Sequence, residues 1–250
     1  MKTNSVSGHS TNVASLEEEI SICTGYGTAY NPSKASLKLP ALQTLLTTGR
    51  SALQTVKSAK TIFDNATNAR EIAFAPIKKF STRIINALKA TDATQQLIDD
   101  VVTVNRKIQG VRAKKLVVEP VKSLATEVPT EPEHKNISVS QQSYNDFIDH
   151  FAKLIQVITS EPLYIPNELD LKTTALNTHL ATLRTLNTAV INAHTAYTNT
   201  MIARNFVLYQ PLAGLVDTGL EVKNYVKSVF GATSPQYKQI SKIKFTKHAL

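Results

Sequence analysis

Residues Tyr30–Ser51 read YNPSKASLKLPALQTLLTTGRS, and residues Tyr164–Thr185 read YIPNELDLKTTALNTHLATLRT. Laid over one another at an offset of 134 residues, they pair Tyr30 with Tyr164, Pro32 with Pro166, and Leu37 and Lys38 with Leu171 and Lys172. Ala41, Leu42, Thr44, Leu46, Thr48 and Arg50 find the same residues in the second stretch. The match continues through Ala59, Thr61, Asn65 and Ala69 to Arg70, which meets Arg204. More than a third of the aligned positions from Tyr30 to Arg70 are identical. The chain therefore reads as an internal duplication, the feature that organises every other expectation.

Outward from this match, each half shows the same series. A short helix (SLEEEISICT, YNDFIDHFAKLIQVIT) precedes a Tyr-x-Pro turn, where proline fixes its own φ and biases its predecessor away from helix. A long helix is predicted over about 37–74 and again over about 171–208. Thirty-eight residues at helical rise span roughly 57 Å. Shorter helices are expected over about 77–90 and 94–113, then 212–229 and 235–245. Seven-residue columns (Leu42, Gly49, Val56, Phe63, Arg70; Leu176, Leu183, Val190, Tyr197, Arg204) form a seam, flanked by Leu46, Leu53 and Lys60 and by Leu45 and a run of alanines. Those alanines predict close approach of the long helices, packed about a pseudo-twofold axis.

The domain reading is a disordered tail (1–14), helical repeat 1 (15–118), a Pro/Glu-rich linker (119–139) and helical repeat 2 (140–250), the two repeats sharing one core. The fold class is all-α: an elongated helical bundle of two homologous halves with long antiparallel helices. The repeat resembles uncharacterised bacterial proteins with paired "Tyr-x-Pro…Leu-Lys" helical halves and a closing "SPQYKQ…KF" stretch. That resemblance implies the helical fold and brings no activity, cofactor or catalytic residue with it.

Composition agrees with a globular chain: 250 residues, 42% hydrophobic and 19% charged, with no tryptophan and 8 glycines. The single Cys23 excludes an internal disulfide and reads as a small hydrophobe at a helix end. The opening nineteen residues lack the apolar core of a Sec signal, and no apolar run is long enough to span a membrane, so a cytoplasmic location is expected. The net charge of +9 divides as +8 over 1–118, −2 over 119–139 and +3 over 140–250.

Candidate chemistry is sparse. Tyr30 and Lys34 have the Tyr-x-x-x-Lys spacing of a dehydrogenase, but no Rossmann unit precedes them and the second copy has Glu168 in place of the lysine. Thr24–Gly27 completes neither nucleotide fingerprint and lacks the transmembrane helices of a channel filter. The six histidines (His9, His134, His150, His179, His194, His248) lack ligand spacing; Asp146 and His150, four apart, read as a local ion pair. Glu17–Glu19 suit a helix N-terminus. Arg50 should be solvated. Arg70 and Arg204 should pair with a carboxylate or helix carbonyls at the end of the seam; an anion pocket between the halves is the alternative.

The candidate sites for an anionic partner are Arg106, Lys107, Arg112, Lys114 and Lys115, with Lys238, Lys242, Lys244 and Lys247. Tyr30, Pro32, Arg70, Tyr164, Pro166 and Arg204 are repeated structural positions. No catalytic, cofactor-binding or metal residue is expected. The leading expectation is a non-enzymatic scaffold or protein-interaction protein. The alternatives are a sequence-nonspecific binder of nucleic acid or an anionic surface, and a soluble form of a helical pore-forming or membrane-associated protein.

Overall fold

The computed structural model describes residues 7–111 and 142–248. The 119–139 linker, His134, and Arg112, Lys114 and Lys115 lie outside the described residues. The protein is all-helical: α1 (Ser7–Gly25), α2 (Leu39–Phe74), α3 (Ile77–Lys89), α4 (Gln95–Gln109), α5 (Tyr144–Thr159), α6 (Thr173–Tyr209), α7 (Leu215–Phe230) and α8 (Pro235–Ile240), with no strand among the described residues. None of these helices is long and apolar enough to cross a membrane.

Local chemistry explains most boundaries. Thr94 caps α4 by accepting from Leu97 N, and Gly110 ends it in the left-handed region at φ 74°. That stop comes earlier than the 94–113 expected. Ser143 and Asp146 form a capping box at the start of α5. Ser234 and the following proline begin α8, which stops at Ile240 instead of running to 245. Thr44, Thr48 and Thr61 in α2, and Thr178, Thr182 and Thr195 in α6, return their hydroxyls to the carbonyl four residues back. Residues that compete with helix backbones are thus accommodated on solvent-facing turns.

Residues 7–14 depart from the expectation of a disordered tail. Helix α1 begins at Ser7, and Asn12 and Val13 are buried in it. A sparse apolar pattern hid this helix, because much of its inward face is polar. Glu17–Glu19 consequently lie in mid-helix, not at an N-terminus.

The Tyr-x-Pro turns are built alike. Tyr30 and Tyr164 are each 6% exposed. The Tyr30 hydroxyl donates to the Leu37 carbonyl at 2.7 Å, and that of Tyr164 donates to Leu171 at 3.0 Å. Each acceptor ends a single 3-10 turn, Ala35–Leu37 or Leu169–Leu171. The next carbonyl, of Lys38 or Lys172, accepts the first bond of the long helix.

The chain forms two compact units, one of residues 1–65 with 191–250, the other of residues 66–190. Neither coincides with 15–118 or 140–250. Each has its own apolar core, so the buried residues form two clusters and not one. The first gathers Leu16, Cys23, Tyr30, Leu42 and Leu46 with Leu208, Leu215, Val222, Val226 and Ile240. The second gathers Ile77, Ile84, Leu88, Val101 and Ile108 with Phe151, Leu154, Ile158, Tyr164, Leu176 and Leu183. In each, the leading part of one repeat is completed by the trailing part of the other.

The predicted seam residues Leu42, Gly49, Leu176, Leu183 and Val190 are buried, whereas Lys60 is exposed and paired with Asp64. The close inter-helix approaches belong to α1 with α7, α7 with α8, α3 with α4 and α4 with α5. The long helices are absent from that set. In the first unit they meet instead through Phe63, which stacks on Tyr197 at 6.2 Å and tilts against His194. Bulky rings at this contact override the close approach that the alanines suggested.

Charge follows the same exchange. In the first unit Lys34 of the turn pairs with Glu221 of α7 at 2.5 Å; in the second, Asp170 of the turn pairs with Arg83 of α3 at 2.6 Å. The polarity is reversed. Docking each turn on the helix of its own repeat would set Lys34 against a helix bearing Arg83, and Asp170 against one bearing Glu221. Such solvent-exposed pairs add little to stability, but they discriminate between pairings.

Fragments 1–118 and 140–250, prepared separately, should each lack a cooperative thermal transition, because each holds only part of either core. Mixed in equal amounts, they should regain one by circular dichroism. A cooperative melt of either fragment alone would contradict a core assembled from both repeats.

Candidate functional site

Three places in the described structure hold concentrated polar chemistry, and the repeated turns come first. Tyr30 looked like a catalytic tyrosine, but its hydroxyl is committed to Leu37, and burial with nearby Cys23 pushes its pKa above the ordinary tyrosine value. A tyrosine acting as a base needs the opposite shift. Burial likewise raises Tyr164 to about 12. Beside Tyr164 lies an open cleft of about 460 Å³ between α3 and the turn, whose polar lining includes Arg83, Asn86, Thr91 and Glu168. Around it the turn projects Leu163, Ile165 and Leu169; Ile165 is 80% and Leu169 77% exposed. The first unit has Ala29, Asn31 and Ala35 at the matching positions.

The second place is the lysine-bearing end of the first unit. Lys238, Lys242, Lys244 and Lys247 are all exposed, and Lys247 pairs with Asp217 at 2.5 Å. The fold adds two lysines that sequence reading missed, because they lie on α7. Lys227 sits 5.6 Å from the Tyr237 ring, and Lys223 sits 5.1 Å from the Phe245 ring. Of the other predicted basic residues, Arg106 and Lys107 occupy the last turn of α4, in the second unit, where cations complement the helix dipole.

The third place is buried. Glu19 is fully buried in α1, and neither carboxylate oxygen has a hydrogen-bond partner among the described residues. Burial raises its pKa from 4.5 to about 8, with Lys223 pulling down and Glu18 pushing up. One turn on, Cys23 is also fully buried, and burial with Glu19 raises its thiol to about 12, which leaves it a packed hydrophobe and a poor nucleophile. At the start of α1, His9 Nδ1 lies 2.5 Å from the Tyr209 hydroxyl, and the His9 ring lies 4.9 Å from that of His248. Burial, Arg204 and His248 lower the His9 pKa to about 4. A separation of more than 200 residues hid this histidine pair from any spacing argument. Among the described residues, no group of three or more His, Cys, Asp or Glu is placed to hold a metal ion.

The arginines of the repeat diverge. Arg50 is half-exposed as expected and pairs with Glu17. Among the described residues, Arg70 has no ion pair with a carboxylate and no hydrogen bond to a helix carbonyl. It donates to the Asn187 carboxamide at 3.1 Å and lies 3.9 Å over the Tyr144 ring. Arg204 donates twice to the Asn205 carboxamide and lines an open groove of about 460 Å³ with threonines of α2. The two arginines fall in different units. Asp146 and His150 interact electrostatically as expected, while the Asp146 carboxylate takes its hydrogen bonds from the backbone and hydroxyl of Ser143. Burial lowers the His150 pKa. Comparison of the chain with protein-family profiles, curated proteins and solved structures returns no match.

Replacing Arg70 by alanine should lower stability by about 1–2 kcal/mol, through the lost ring contact and the Asn187 bond; thermal melting reads this directly. For Glu19, the folded state favours the protonated form. The contribution of this group is therefore fully present below 4.5 and is lost as pH rises through about 8. Glu19→Gln should melt close to the parent at pH 4.5 and above it at pH 8, by on the order of 2–4 kcal/mol. A difference independent of pH would show that the carboxyl does not titrate as described.

Proposed function

We propose that the protein is a non-enzymatic interaction scaffold, built from a duplicated helical unit, that presents the Leu163–Leu169 turn to a protein partner. The supporting observation is the exposure of Ile165 and Leu169 beside the open cleft on α3. Neighbouring apolar side chains held outward by a buried tyrosine cost solvation energy that a partner would recover. The surrounding chemistry is that of a docking rim, with the Arg83–Asp170 ion pair and the amides of Asn86 and Asn167 around an apolar centre.

A second reading has its own support. Lys227, Lys238, Lys242 and Lys244 form no ion pair in the described structure, and Tyr237 and Phe245 lie among them. This suits an anionic surface bound without sequence preference, with an affinity that falls steeply with salt.

The variant Ile165→Asp/Leu169→Asp should fold like the parent, because both side chains are exposed. In affinity capture from native cell extract it should lose proteins that the parent retains; identical capture would overturn the turn as the docking surface. Retention on heparin at low salt, abolished by Lys238→Glu/Lys242→Glu, would favour the second reading. No retention at low salt would remove it.

A further inference from the structure

After α8 the chain makes a turn at Ser241 and Lys242, and Ile243–His248 then run on without helix or strand. Outside a helix or sheet, the peptide groups of such a segment need partners from elsewhere. Side chains of α1 and α7 supply them. The Asn12 carboxamide donates to the Thr246 carbonyl at 2.8 Å and accepts from the Thr246 amide at 2.9 Å, holding both peptide groups of one residue. Ser15 donates to the Lys244 carbonyl at 2.9 Å, and the Lys223 ammonium donates to the Ile243 carbonyl. Asn12 is only 1% exposed. A buried carboxamide committed to another segment's main chain is costly unless that segment is present.

Side chains of the segment alternate as in a bound strand. Ile243 is buried, Lys244 and Thr246 are exposed, and Phe245 points inward. The Phe245 ring occupies a slot above Gly219, where an added Cβ would lie 2.4 Å from it, so this close approach requires glycine. His248 closes the far end against His9 and Tyr209. Main-chain bonds give affinity without regard to sequence, and two side-chain slots give selectivity, which is the logic of extended-peptide recognition.

We propose that the groove between α1 and α7 is a peptide-binding site for an extended segment of a partner protein with an aliphatic–x–aromatic–Thr pattern, and that residues 241–248 close it in cis as a competing occupant. This site is separate from the Leu163–Leu169 turn and stands without it. Tethering through α8 gives the resident segment an effective concentration on the order of millimolar, so a partner must bind tightly or arrive when the segment is loosened.

The test uses the full chain with the occupant weakened by Ile243→Ser/Phe245→Ala and the groove left intact. A fluorescent peptide of residues 241–248 is the probe, read by anisotropy. The weakened chain should bind it saturably, and the parent about tenfold or more weaker. Adding Asn12→Ala to the weakened chain, or placing alanine at the phenylalanine of the peptide, should each reduce binding at least about tenfold. A weakened chain that keeps its helical spectrum and cooperative melt but does not bind would overturn the proposal. So would binding indifferent to Asn12→Ala. Should the weakened chain fail to fold, amide exchange on the parent decides. The Thr246 amide should exchange by local opening, faster with excess unlabelled peptide, while α1 and α7 stay protected. Exchange of Thr246 only on global unfolding, unaffected by peptide, would equally overturn it.

Discussion

A hydroxyl reaching across seven residues, from Tyr30 to the Leu37 carbonyl and from Tyr164 to Leu171, is the constraint on which the structure rests. The chain must leave a short helix, reverse, and enter a helix of 36 or 37 residues without stranding peptide groups in an apolar core. Proline cannot donate, and a single 3-10 turn leaves carbonyls free. The tyrosine meets both needs, because its ring fills the core while its hydroxyl satisfies the carbonyl that ends the turn. With the turn fixed, the first residues of the long helix and the leucines behind them are fixed as well. This accounts for identical residues falling on Tyr, Pro, Leu and Lys while the residues between them vary.

A second constraint follows from where the buried groups come from. Neither core can be completed by one repeat, because α1 needs α7 and α5 needs α4. The opposed polarity of Lys34–Glu221 and Asp170–Arg83 marks which turn belongs with which helix. Individually these pairs are weak. Their value lies in the arrangement they disfavour, since similar apolar surfaces discriminate poorly by shape alone.

The units then differ in what they bury. The second is filled largely by aliphatic and aromatic side chains, with Phe80, Phe151 and His179 in mutual contact. The first encloses Asn12, Glu19 and the hydroxyl of Tyr209, and it holds an extended segment by side chain-to-backbone bonds. Buried polar groups give up stability for a defined, breakable arrangement. The unit that carries them has the more selective interior, and the second has the more exposed apolar turn.

The sequence by itself determined the helical class, the long helices to within a few residues, the two turns and most of the inward columns. These are set by local periodicity, by proline and by repetition, all legible along one dimension. It misjudged residues 7–14, because a helix whose buried face carries Asn12, Ser15 and Glu19 shows little apolar pattern. The lysine segment of 238–247 was legible as charge, but its neighbours Lys223 and Lys227 were not. Only the tertiary structure decided that the cores are exchanged between repeats, that Arg70 rests on Tyr144, that His9 meets His248, and that Asn12 holds the backbone of Thr246. Each of these depends on contacts between residues far apart in the chain, whose partners are selected by packing and by the satisfaction of buried polar groups, and neither leaves a periodic trace in sequence.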